Sequence, residues 1–385
     1  MTARAARTKV LFIGGEGRSG STVLERLLSA NPESCAIGEG KYLFERGVGS
    51  RELCGCGRPV PECELWSEVG DRLVGGWDTD AGTELVAFFT DMNSPRKLPA
   101  TVAGRGAMVR RAREVLAELY PMIADITGSS VIIDSSKHPS WAFLLAGTET
   151  VDLRVVHLVR HPSGVVQSWS RPVVRPQAAG GTGEQHMPAQ RPADVAFRWD
   201  VFNGLFHRLA RSVPTVLVRY EDYVDDIDGT IRACMGLVGL SYETQPIAMG
   251  RGHGIAGNPS RFADDGATIT VDDRWITELS PSRHALVSAM TWHRRAAYGY
   301  SYRRSMPVRP LLRHVDGRLV GSGPDGPERS VLLDAPEHAE GDHHADHGAG
   351  DPDSTGGPVV GKVGREQDDR LGGEEPAPHP DGGPW

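Results

Sequence analysis

The clearest hydrophobic pattern in the chain lies near its start. Residues Val10 to Gly14 are almost all apolar, which is typical of a strand buried in a parallel sheet. A glycine-rich turn follows and leads into a segment with helical spacing. The pattern therefore predicts a strand, a glycine loop and a helix. Four apolar residues of this helix fall on one face: Val23, Leu24, Leu27 and Leu28.

Further apolar runs predict additional strands of an α/β fold with a parallel sheet. Ala36–Gly40 predicts a short strand that carries Glu39 near its end. Residues 50–104 are poorly patterned, and we expect them to cover an edge of the sheet. The other predicted strands are Ser130–Asp134, Leu153–Arg160 and Thr215–Tyr220, and helical composition covers Ala107–Asp125 and Ser282–Ala297.

Two loops stand out from these regular patterns. Arg171–Pro192 is rich in Pro, Gly and Gln and has no helical or strand period. A loop of this length is either a lid over a site, where acceptor specificity would lie, or a disordered segment. Gly252–Arg261 is a second glycine-rich loop, and it ends in a cation.

The composition changes sharply near Met306, beyond which Gly, Pro, Asp, Glu and His dominate. The sequence therefore predicts a folded domain over residues 1–304 and a low-complexity, disordered tail over residues 305–385. The tail carries 7 Lys and Arg against 16 Asp and Glu, so the domain is near neutral although the whole chain has a net charge of −8. A near-neutral domain does not indicate nucleic acid as a partner.

The hydropathy of the chain predicts a cytoplasmic protein. Its N-terminus is basic, but the apolar run that follows is too short for a signal peptide. No window approaches the length of a transmembrane span.

The glycine-rich turn has almost the spacing of a nucleotide P-loop. Gly15 and Gly20 are separated by four residues, as that motif requires, but Ser21 stands where its lysine would be. The only strong cation of the turn is Arg18. A strand, glycine loop and helix direct free backbone N–H groups at an anion. This loop therefore suits a smaller phosphate-bearing donor bound without metal, rather than a triphosphate. A plain strand–helix turn is the alternative.

Polar residues at the ends of other predicted strands add to this picture, because ligands of doubly wound sheets bind at the carboxyl ends of the strands. Glu39 and Lys137 are two such residues, for which a capping carboxylate and a lysine on a solvated turn are the respective alternatives. Arg160 ends the third long run, and Ser168 lies about two helical turns further on. Together they can bind one phosphate from two sides.

Three of the five cysteines cluster in a short segment, Cys54, Cys56 and Cys63. A disulfide framework is not expected in a cytoplasmic chain. A zinc site usually has Cys-x-x-Cys spacing and four ligands, whereas this segment has Cys-x-Cys, with Cys35 as a conceivable fourth ligand. Structural thiols in a tight loop, a metal or redox cluster, and a catalytic role all remain open.

Together, these segments resemble the sulfotransferases that use 3′-phosphoadenosine 5′-phosphosulfate (PAPS). Gly17–Thr22 is similar to the 5′-phosphosulfate loop of that family, which is a P-loop variant without the lysine. Leu158–Pro162 together with Ser168 is similar to its 3′-phosphate segment, and Gly257–Arg261 to its late glycine-rich loop. The resemblance runs from about Lys9 to Tyr302 and implies a P-loop-like, three-layer sandwich with a central parallel sheet.

The resemblance also implies roles for single residues. Glu39 is the expected base, as in members that sulfate protein tyrosines, while His138 is the alternative because other members use a histidine. Arg18 and Lys137 are the expected catalytic cations. No metal is required. The donor-binding residues it implies are Gly17, Arg18, Ser19, Gly20, Ser21, Thr22, Arg160, Ser168 and Arg261.

The expected reaction is transfer of a sulfuryl group from PAPS to a hydroxyl or amine. The acceptor is a small metabolite, a sugar or a glycolipid headgroup, and the sequence does not indicate an oligomeric state. One alternative is a P-loop kinase or nucleotide hydrolase, with Asp134 as its acidic metal ligand. Another is a nucleotide-binding regulatory module without chemistry.

Overall fold

Five parallel strands form the central sheet of the protein, whose computed structural model describes residues 7–175, 178, 186–243, 252–257, 269–302, 312–315 and 318–321. The strands are β1 (Thr8–Gly14), β2 (Ser34–Ala36), β3 (Val131–Lys137), β4 (Val151–Val159) and β7 (Thr215–Arg219). Their order across the sheet is β2-β3-β1-β4-β7. The strand that carries the glycine loop is therefore central, with β3 and β4 as its neighbours.

Each long apolar run of the sequence becomes one of these strands, with shifted ends. The main difference is at β3, which extends to Lys137, so that Ser135 and Ser136 lie inside the strand and not after it. The short run that we predicted as a strand over Ala36–Gly40 forms its strand earlier, at Ser34–Ala36. Glu39 therefore lies beyond the strand, in the connection to the next helical segment.

Consecutive residues of β1 point to opposite faces of the sheet and are apolar on both. Helices therefore cover both faces. Two hydrophobic cores lie between the sheet and its helices. The helices that contribute to them include α1 (Ser21–Leu28), α5 (Ala107–Thr127), α6 (Pro139–Ala146), α8 (Pro192–Leu209) and α10 (Ile227–Leu237). Val10 and Phe12 pack into a core with residues of α5, α6 and α8. Leu11 and Ile13 pack into a second core with residues of α1 and α10. This arrangement confirms the predicted α/β sandwich of three layers.

The poorly patterned region, residues 50–104, contains three helices that the sequence did not indicate. They bury Trp66, Leu85 and Phe89, and the ring of Phe89 stacks on Phe44 with the centroids 4.2 Å apart. The region thus contributes a large part of one core and does more than cover an edge. Its helices are α2 (Glu64–Val74), α3 (Asp80–Met92) and α4 (Leu98–Ala103).

The remaining helices surround the carboxyl ends of the strands and the segments that follow them. They are α7 (Pro162–Trp169), α9 (Tyr220–Asp225), α11 (Trp275–Glu278) and α12 (Pro281–Ala297). Short 3₁₀ turns occupy Gly40–Tyr42, Val60–Glu62 and Pro95–Lys97, and Leu43–Gly49 is a π-helix. None of the described helices combines the length and the hydropathy that crossing a membrane requires. The cytoplasmic location stays a prediction.

Two small antiparallel pairs complete the described structure. Within the loop predicted over Arg171–Pro192, β5 (Val173–Val174) pairs with β6 (His186–Met187). Within the predicted tail, β8 (Leu312–Val315) pairs with β9 (Arg318–Gly321). The rest of the tail lies outside the described residues, so its disorder and the boundary at residue 304 stay predictions.

Candidate functional site

A cavity of about 790 Å³ lies where β1, β3, β4 and β7 end. Its volume falls in the range of small-molecule sites, and the carboxyl ends of the strands are where open α/β sheets bind ligands. Most of the residues singled out in the sequence line it. They are Gly17, Arg18, Gly20, Ser21, Thr22, Glu39, Lys137, His138, Arg160 and Ser168.

The glycine loop forms one wall of the cavity and leads directly into α1. Gly20 precedes the helix with a φ of 88°, and an added Cβ would lie 2.7 Å from the ring of Tyr220. Glycine is therefore required there for both conformation and space. The first N–H groups of α1 have no acceptors within the helix, so this wall offers donors and a positive helix end to an anion.

Arg18 is the cation of this loop. Its guanidinium lies over the ring of Trp169, 4.8 Å from the centroid, and one nitrogen is 3.3 Å from the sulfur of Met187. Its Nε is buried and has no hydrogen-bond partner among the described residues. Burial lowers the pKa of Arg18, and the nearby charge of Glu39 opposes that effect. A buried donor without an acceptor, beside a helix N-terminus, is suited to an anionic ligand.

Ser19 is the one predicted loop residue that does not line the cavity. Its side chain is buried, and its hydroxyl donates to the carbonyl oxygen of Glu16 at 2.8 Å. The carboxylate of Glu16 in turn binds Arg198 of α8, with a closest distance of 2.7 Å. Burial raises the pKa of Glu16, and the charge of Arg198 opposes that shift. Ser19 thus stabilises the loop from behind, and Glu16 anchors it to α8.

Lys137 and Glu39 form an ion pair on the cavity wall. Nζ of Lys137 lies 2.5 Å from Oε1 of Glu39, and it also donates to the carbonyl oxygen of Ser135 at 3.2 Å. Lys137 has a φ of 64°, a conformation that non-glycine residues adopt rarely and that often marks a functional site. The backbone N–H of Glu39 donates to Ile255 at 2.9 Å. Lys137 is therefore held by β3 and Glu39 by its contact with Ile255, and folding brings the two side chains together.

Glu25 of α1 connects the two segments that carry this ion pair. Its Oε1 accepts the N–H of Gly38 at 2.6 Å, and its Oε2 accepts the hydroxyl of Ser135 at 2.6 Å. Burial raises the pKa of Glu25 to about 7, while the hydrogen bond from Ser135 and the charge of Lys137 oppose the shift. Sequence analysis missed Glu25, because a single acid in an amphipathic helix is usually solvated.

Arg160 contacts the backbone of the glycine loop. One nitrogen donates to the carbonyl oxygen of Arg18 at 2.9 Å, and another donates to that of Asp272 at 2.7 Å. The same nitrogen is 3.2 Å from the carboxylate of Asp272. The guanidinium also lies 4.5 Å from the centroid of the Tyr220 ring. Ser168, in the last turn of α7, lines the same cavity, as the sequence predicts.

His138 lines the cavity, but its ring serves the local structure. Its Nδ1 caps α6 by accepting the N–H of Ser140 at 3.3 Å, and it lies 2.7 Å from the hydroxyl of that residue. The ring packs edge-on against Phe202. Burial lowers the pKa of His138 well below its ordinary value. Nδ1 of His138 is therefore already engaged by the protein.

Asp134 does not line the cavity and is occupied by protein donors. One oxygen accepts the N–H and the hydroxyl of Ser136 at 2.7 and 2.5 Å. The other accepts the hydroxyl of Tyr120 and the indole N–H of Trp141. Burial raises the pKa of Asp134, and these hydrogen bonds oppose the shift.

Some wall residues were not indicated by the sequence, and one indicated residue cannot be placed. Arg261 lies outside the described residues. Trp169, Arg198, Tyr220 and Asp272 line the cavity without having been singled out. Trp169 offered a weak signal, since it directly follows Ser168, whereas Asp272 is brought to Arg160 from more than a hundred residues away.

The chain is similar to several solved sulfotransferase structures. For the sulfotransferase domain of the Synechococcus PCC 7002 olefin synthase, the identity is 18%, the coverage is 74% of this chain and 95% of that one, and the TM-score is 0.43. The domain from the curacin biosynthetic pathway gives 18% identity, 78% and 99% coverage and a TM-score of 0.42. For the sulfotransferase from Alicyclobacillus acidocaldarius, the identity is 12%, the coverage is 73% of this chain and 94% of that one, and the TM-score is 0.28.

No protein-family model matches the sequence, and no curated protein matches it significantly. By their own descriptions, the three similar structures are sulfotransferases or sulfotransferase domains, the family that the sequence motifs resemble.

Proposed function

We propose that the protein is a sulfotransferase that transfers a sulfuryl group from PAPS to a hydroxyl or amine of an acceptor. The observation that carries this proposal is the composition of one cavity. A glycine loop without the P-loop lysine, the Lys137–Glu39 ion pair, and Arg160 with Ser168 all line it. These groups match the three parts of the expected reaction, which are a donor 5′-phosphosulfate, a proton acceptor and a 3′-phosphate.

The donor would bind along the wall formed by the glycine loop and Arg160. The N-terminus of α1 and Arg18 would bind the 5′-phosphosulfate, because they offer hydrogen-bond donors and positive charge. Arg160 and Ser168 would bind the 3′-phosphate and so discriminate against ATP and ADP, which lack it. Arg261 is proposed as a further donor contact from the sequence alone. The aromatic rings of Trp169 and Tyr220 border both groups of cations.

In the reaction, the bond between sulfur and the 5′-phosphate oxygen breaks while a new bond forms between sulfur and the acceptor oxygen or nitrogen. The acceptor proton passes to Glu39. The bond electrons stay on the 5′-phosphate, whose added negative charge Arg18, Lys137 and the loop N–H groups stabilise. Positioning and charge stabilisation are then the main contributions of the protein. No step in this scheme requires a metal ion.

The rival reading, a P-loop kinase or nucleotide hydrolase, receives less support from the same residues. Ser21 replaces the lysine that would bind the outer phosphates of a triphosphate. Asp134, the candidate metal ligand, is buried behind the cavity wall and accepts hydrogen bonds from protein donors on both oxygens. The described part of the cavity thus favours a donor that binds without magnesium.

The acceptor would enter beside Glu39, where the wall includes Tyr42, Arg46, Arg175 and Phe202. Arg46 and Arg175 both bind the buried carboxylate of Glu52, so these three groups together leave one net positive charge at this wall. A mixed aromatic and hydrogen-bonding wall suits a small metabolite, a sugar or a glycolipid headgroup. We retain these three as the proposed acceptor classes.

The first test is calorimetric titration with adenosine 3′,5′-bisphosphate and with ADP, each with and without Mg²⁺. We expect metal-independent binding of the bisphosphate, weakened about 10- to 100-fold by Arg160→Ala because charged hydrogen bonds are lost. Arg154→Ala is the matched control, since Arg154 lies on β4, the strand that Arg160 directly follows, but pairs with Asp152 outside the cavity. Preference for ADP with Mg²⁺ would instead support the kinase reading.

The second test replaces Glu39 by Gln and follows transfer from radiolabelled PAPS to a panel of phenols, alcohols and sugars. Loss of the base should lower turnover by about 10²- to 10⁴-fold, while calorimetry should still detect the bisphosphate. Glu45→Gln is the control, because Glu45 accepts from Asn93 and does not line the cavity. Unchanged turnover in Glu39→Gln would refute the assignment of the base. Donor binding without turnover in any variant, wild type included, would favour the regulatory module.

A further inference from the structure

Outside the cavity, four side chains that bind soft metal ions meet at one point. They are Cys54, Cys56, Cys63 and His253, and one potential ligand atom of each lies within 4.8 Å of the others. Nδ1 of His253 is 3.1 Å from the sulfur of Cys63 and 4.0 Å from that of Cys54. Ligand atoms bound tetrahedrally to one zinc ion lie roughly 3.5–3.8 Å apart. The two distances from His253, 3.1 and 4.0 Å, lie just below and just above that range.

The backbone holds these ligands in position by hydrogen bonds of its own. The N–H of Cys54 donates to Arg58 at 2.8 Å, and the N–H of Gly57 donates to Cys54 at 2.9 Å, which closes a tight turn around Cys56. Cys63 immediately precedes α2, whose N-terminus favours a thiolate. These contacts fix the backbone around the cysteines.

The histidine comes from a distant part of the chain and is fixed separately. Its carbonyl oxygen accepts the indole N–H of Trp66 at 2.8 Å. The next residue, Gly254, accepts the N–H of Gly55 at 2.9 Å. His253 thus takes the place of the fourth ligand, for which the sequence suggested Cys35. Cys35 lies on β2 and does not belong to the cluster.

We propose that Cys54, Cys56, Cys63 and His253 bind one structural zinc ion. Three sulfurs and one imidazole nitrogen form a Cys₃His set, which is one of the common closed zinc sites. All four positions are filled by protein, so the ion has no open position for a substrate and its role is structural. Cys56 is exposed and provides the route by which the ion enters. The five cysteines are all free thiols in the structure.

The proposed zinc site is connected through the backbone to Glu39 in the cavity. His253 lies two residues before Ile255, whose N–H donates to Ile37 at 2.9 Å and whose carbonyl oxygen accepts the N–H of Glu39 at 2.9 Å. The ion would therefore join the cysteine loop to the segment that holds the backbone of Glu39. The site itself does not depend on the proposed function, but its effect on Glu39 does.

The test is zinc analysis of the full-length protein, purified with reductant and without an affinity column that contains metal. We expect about one zinc per chain by elemental mass spectrometry, with loss of the metal in Cys63→Ser and His253→Ala. Cys35→Ala is the matched control and should keep its zinc. A chelator should lower the thermal unfolding midpoint of the wild type and of Cys35→Ala, but not of the zinc-free variants.

Two further measurements keep the proposal testable if a variant fails to fold. Adding Co²⁺ to the zinc-depleted wild type should produce the visible bands of a tetrahedral site and the near-ultraviolet bands of thiolate ligation. Wild-type protein that binds the bisphosphate but contains no zinc and gives no cobalt spectrum would overturn the proposal. So would a Cys54–Cys63 disulfide, seen as an intact mass lower by two hydrogens. Zinc without bisphosphate binding would support this site and contradict only the proposed donor.

Discussion

At the scale of single residues, the contact between Arg160 and Asp272 has the most direct bearing on ligand binding. The carboxylate of Asp272 pairs with the guanidinium of Arg160, the group that we propose to bind the 3′-phosphate. The hydrogen bond from Arg274 holds the pKa of Asp272 well below its usual range, and the charge of Arg160 acts in the same direction. Asp272 is therefore ionised near neutral pH, and its charge competes with an incoming phosphate.

Replacing Asp272 by Asn should tighten binding of adenosine 3′,5′-bisphosphate, because the competing charge is removed while the size of the side chain is kept. We expect about a ten-fold lower Kd, which corresponds to about 1.4 kcal/mol. The effect is opposite in sign to that of Arg160→Ala. Asp273→Asn is the control, since Asp273 is exposed and does not line the cavity. Equal affinities in the two variants would show that the Asp272 contact does not affect binding.

At the scale of elements, the site depends on a short backbone pairing beyond the end of β2. Gly38 and Ile255 form an isolated parallel bridge, which carries the chain from the sheet to Glu39. Gly38 has a φ of 72°, and an added Cβ would lie 2.3 Å from the nitrogen and 2.4 Å from the oxygen of Ile255. Only glycine allows the two backbones to approach this closely.

We expect Gly38→Ala to destabilise the protein more than a glycine replacement that adds only backbone strain. Gly128→Ala is the control, since Gly128 has a similar φ of 65° but nothing within 4 Å of an added Cβ. Both variants should lose about 1 kcal/mol from the positive φ, and Gly38→Ala should lose a further ~1–3 kcal/mol from the clash. Urea unfolding measures the difference. Equal losses would mean that the bridge moves apart without cost.

At the scale of the whole molecule, several buried carboxyl groups make the stability depend on pH. Burial raises the pKa of Glu16, Glu25, Asp134 and Glu221. A carboxyl group whose pKa is higher in the folded state holds its proton longer there than in the unfolded chain. Its stabilising contribution is complete below the unfolded pKa and is lost as the pH rises through the folded value.

Glu25→Gln isolates one of these groups. Burial raises the pKa of Glu25 from 4.5 to about 7, so the wild type should lose stability relative to the variant between about pH 4.5 and 7. The expected change in the difference of unfolding free energy is on the order of 3 kcal/mol. Urea unfolding at several pH values from 5 to 8 measures it, with Glu33→Gln, on the exposed surface, as the control. A constant difference across this range would contradict the prediction.

Much of the sheet could be predicted from the sequence because its strands are continuous apolar runs. Val131–Ile133 and Val155–Val159, for example, contain only one polar residue, His157, and such runs are typical of parallel strands. The helices of residues 50–104 were missed although apolar residues such as Leu85–Phe89 are present in them, because Cys, Gly and Pro precede and separate these short helices and obscure their spacing. The pairing of β8 with β9 was not predicted, although the sequence between these strands contains Asp-Gly, a common turn pair.

The candidate site was predictable where its residues lie at or shortly after the carboxyl ends of strands. Lys137 ends β3, Arg160 directly follows β4, and Arg18 lies in the loop after β1, so the topology of the sheet brings them together. Glu25, Asp272 and His253 could not be found in this way, because their partners are set by packing between distant segments. Long-range contacts of this kind leave no periodic trace in a single sequence.

The small pairing of β5 with β6 has a consequence for protein engineering. Val174 lies opposite His186, so the chain leaves and rejoins the wall of the cavity at one place. The pairing holds the two ends of the intervening segment together, and doubling the length of that segment would cost only about 0.6 kcal/mol in closure entropy. Insertions placed after Ala178, which is itself buried, are therefore a natural way to build sequence libraries. New acceptor preferences could be selected there while the glycine loop and the sheet stay unchanged.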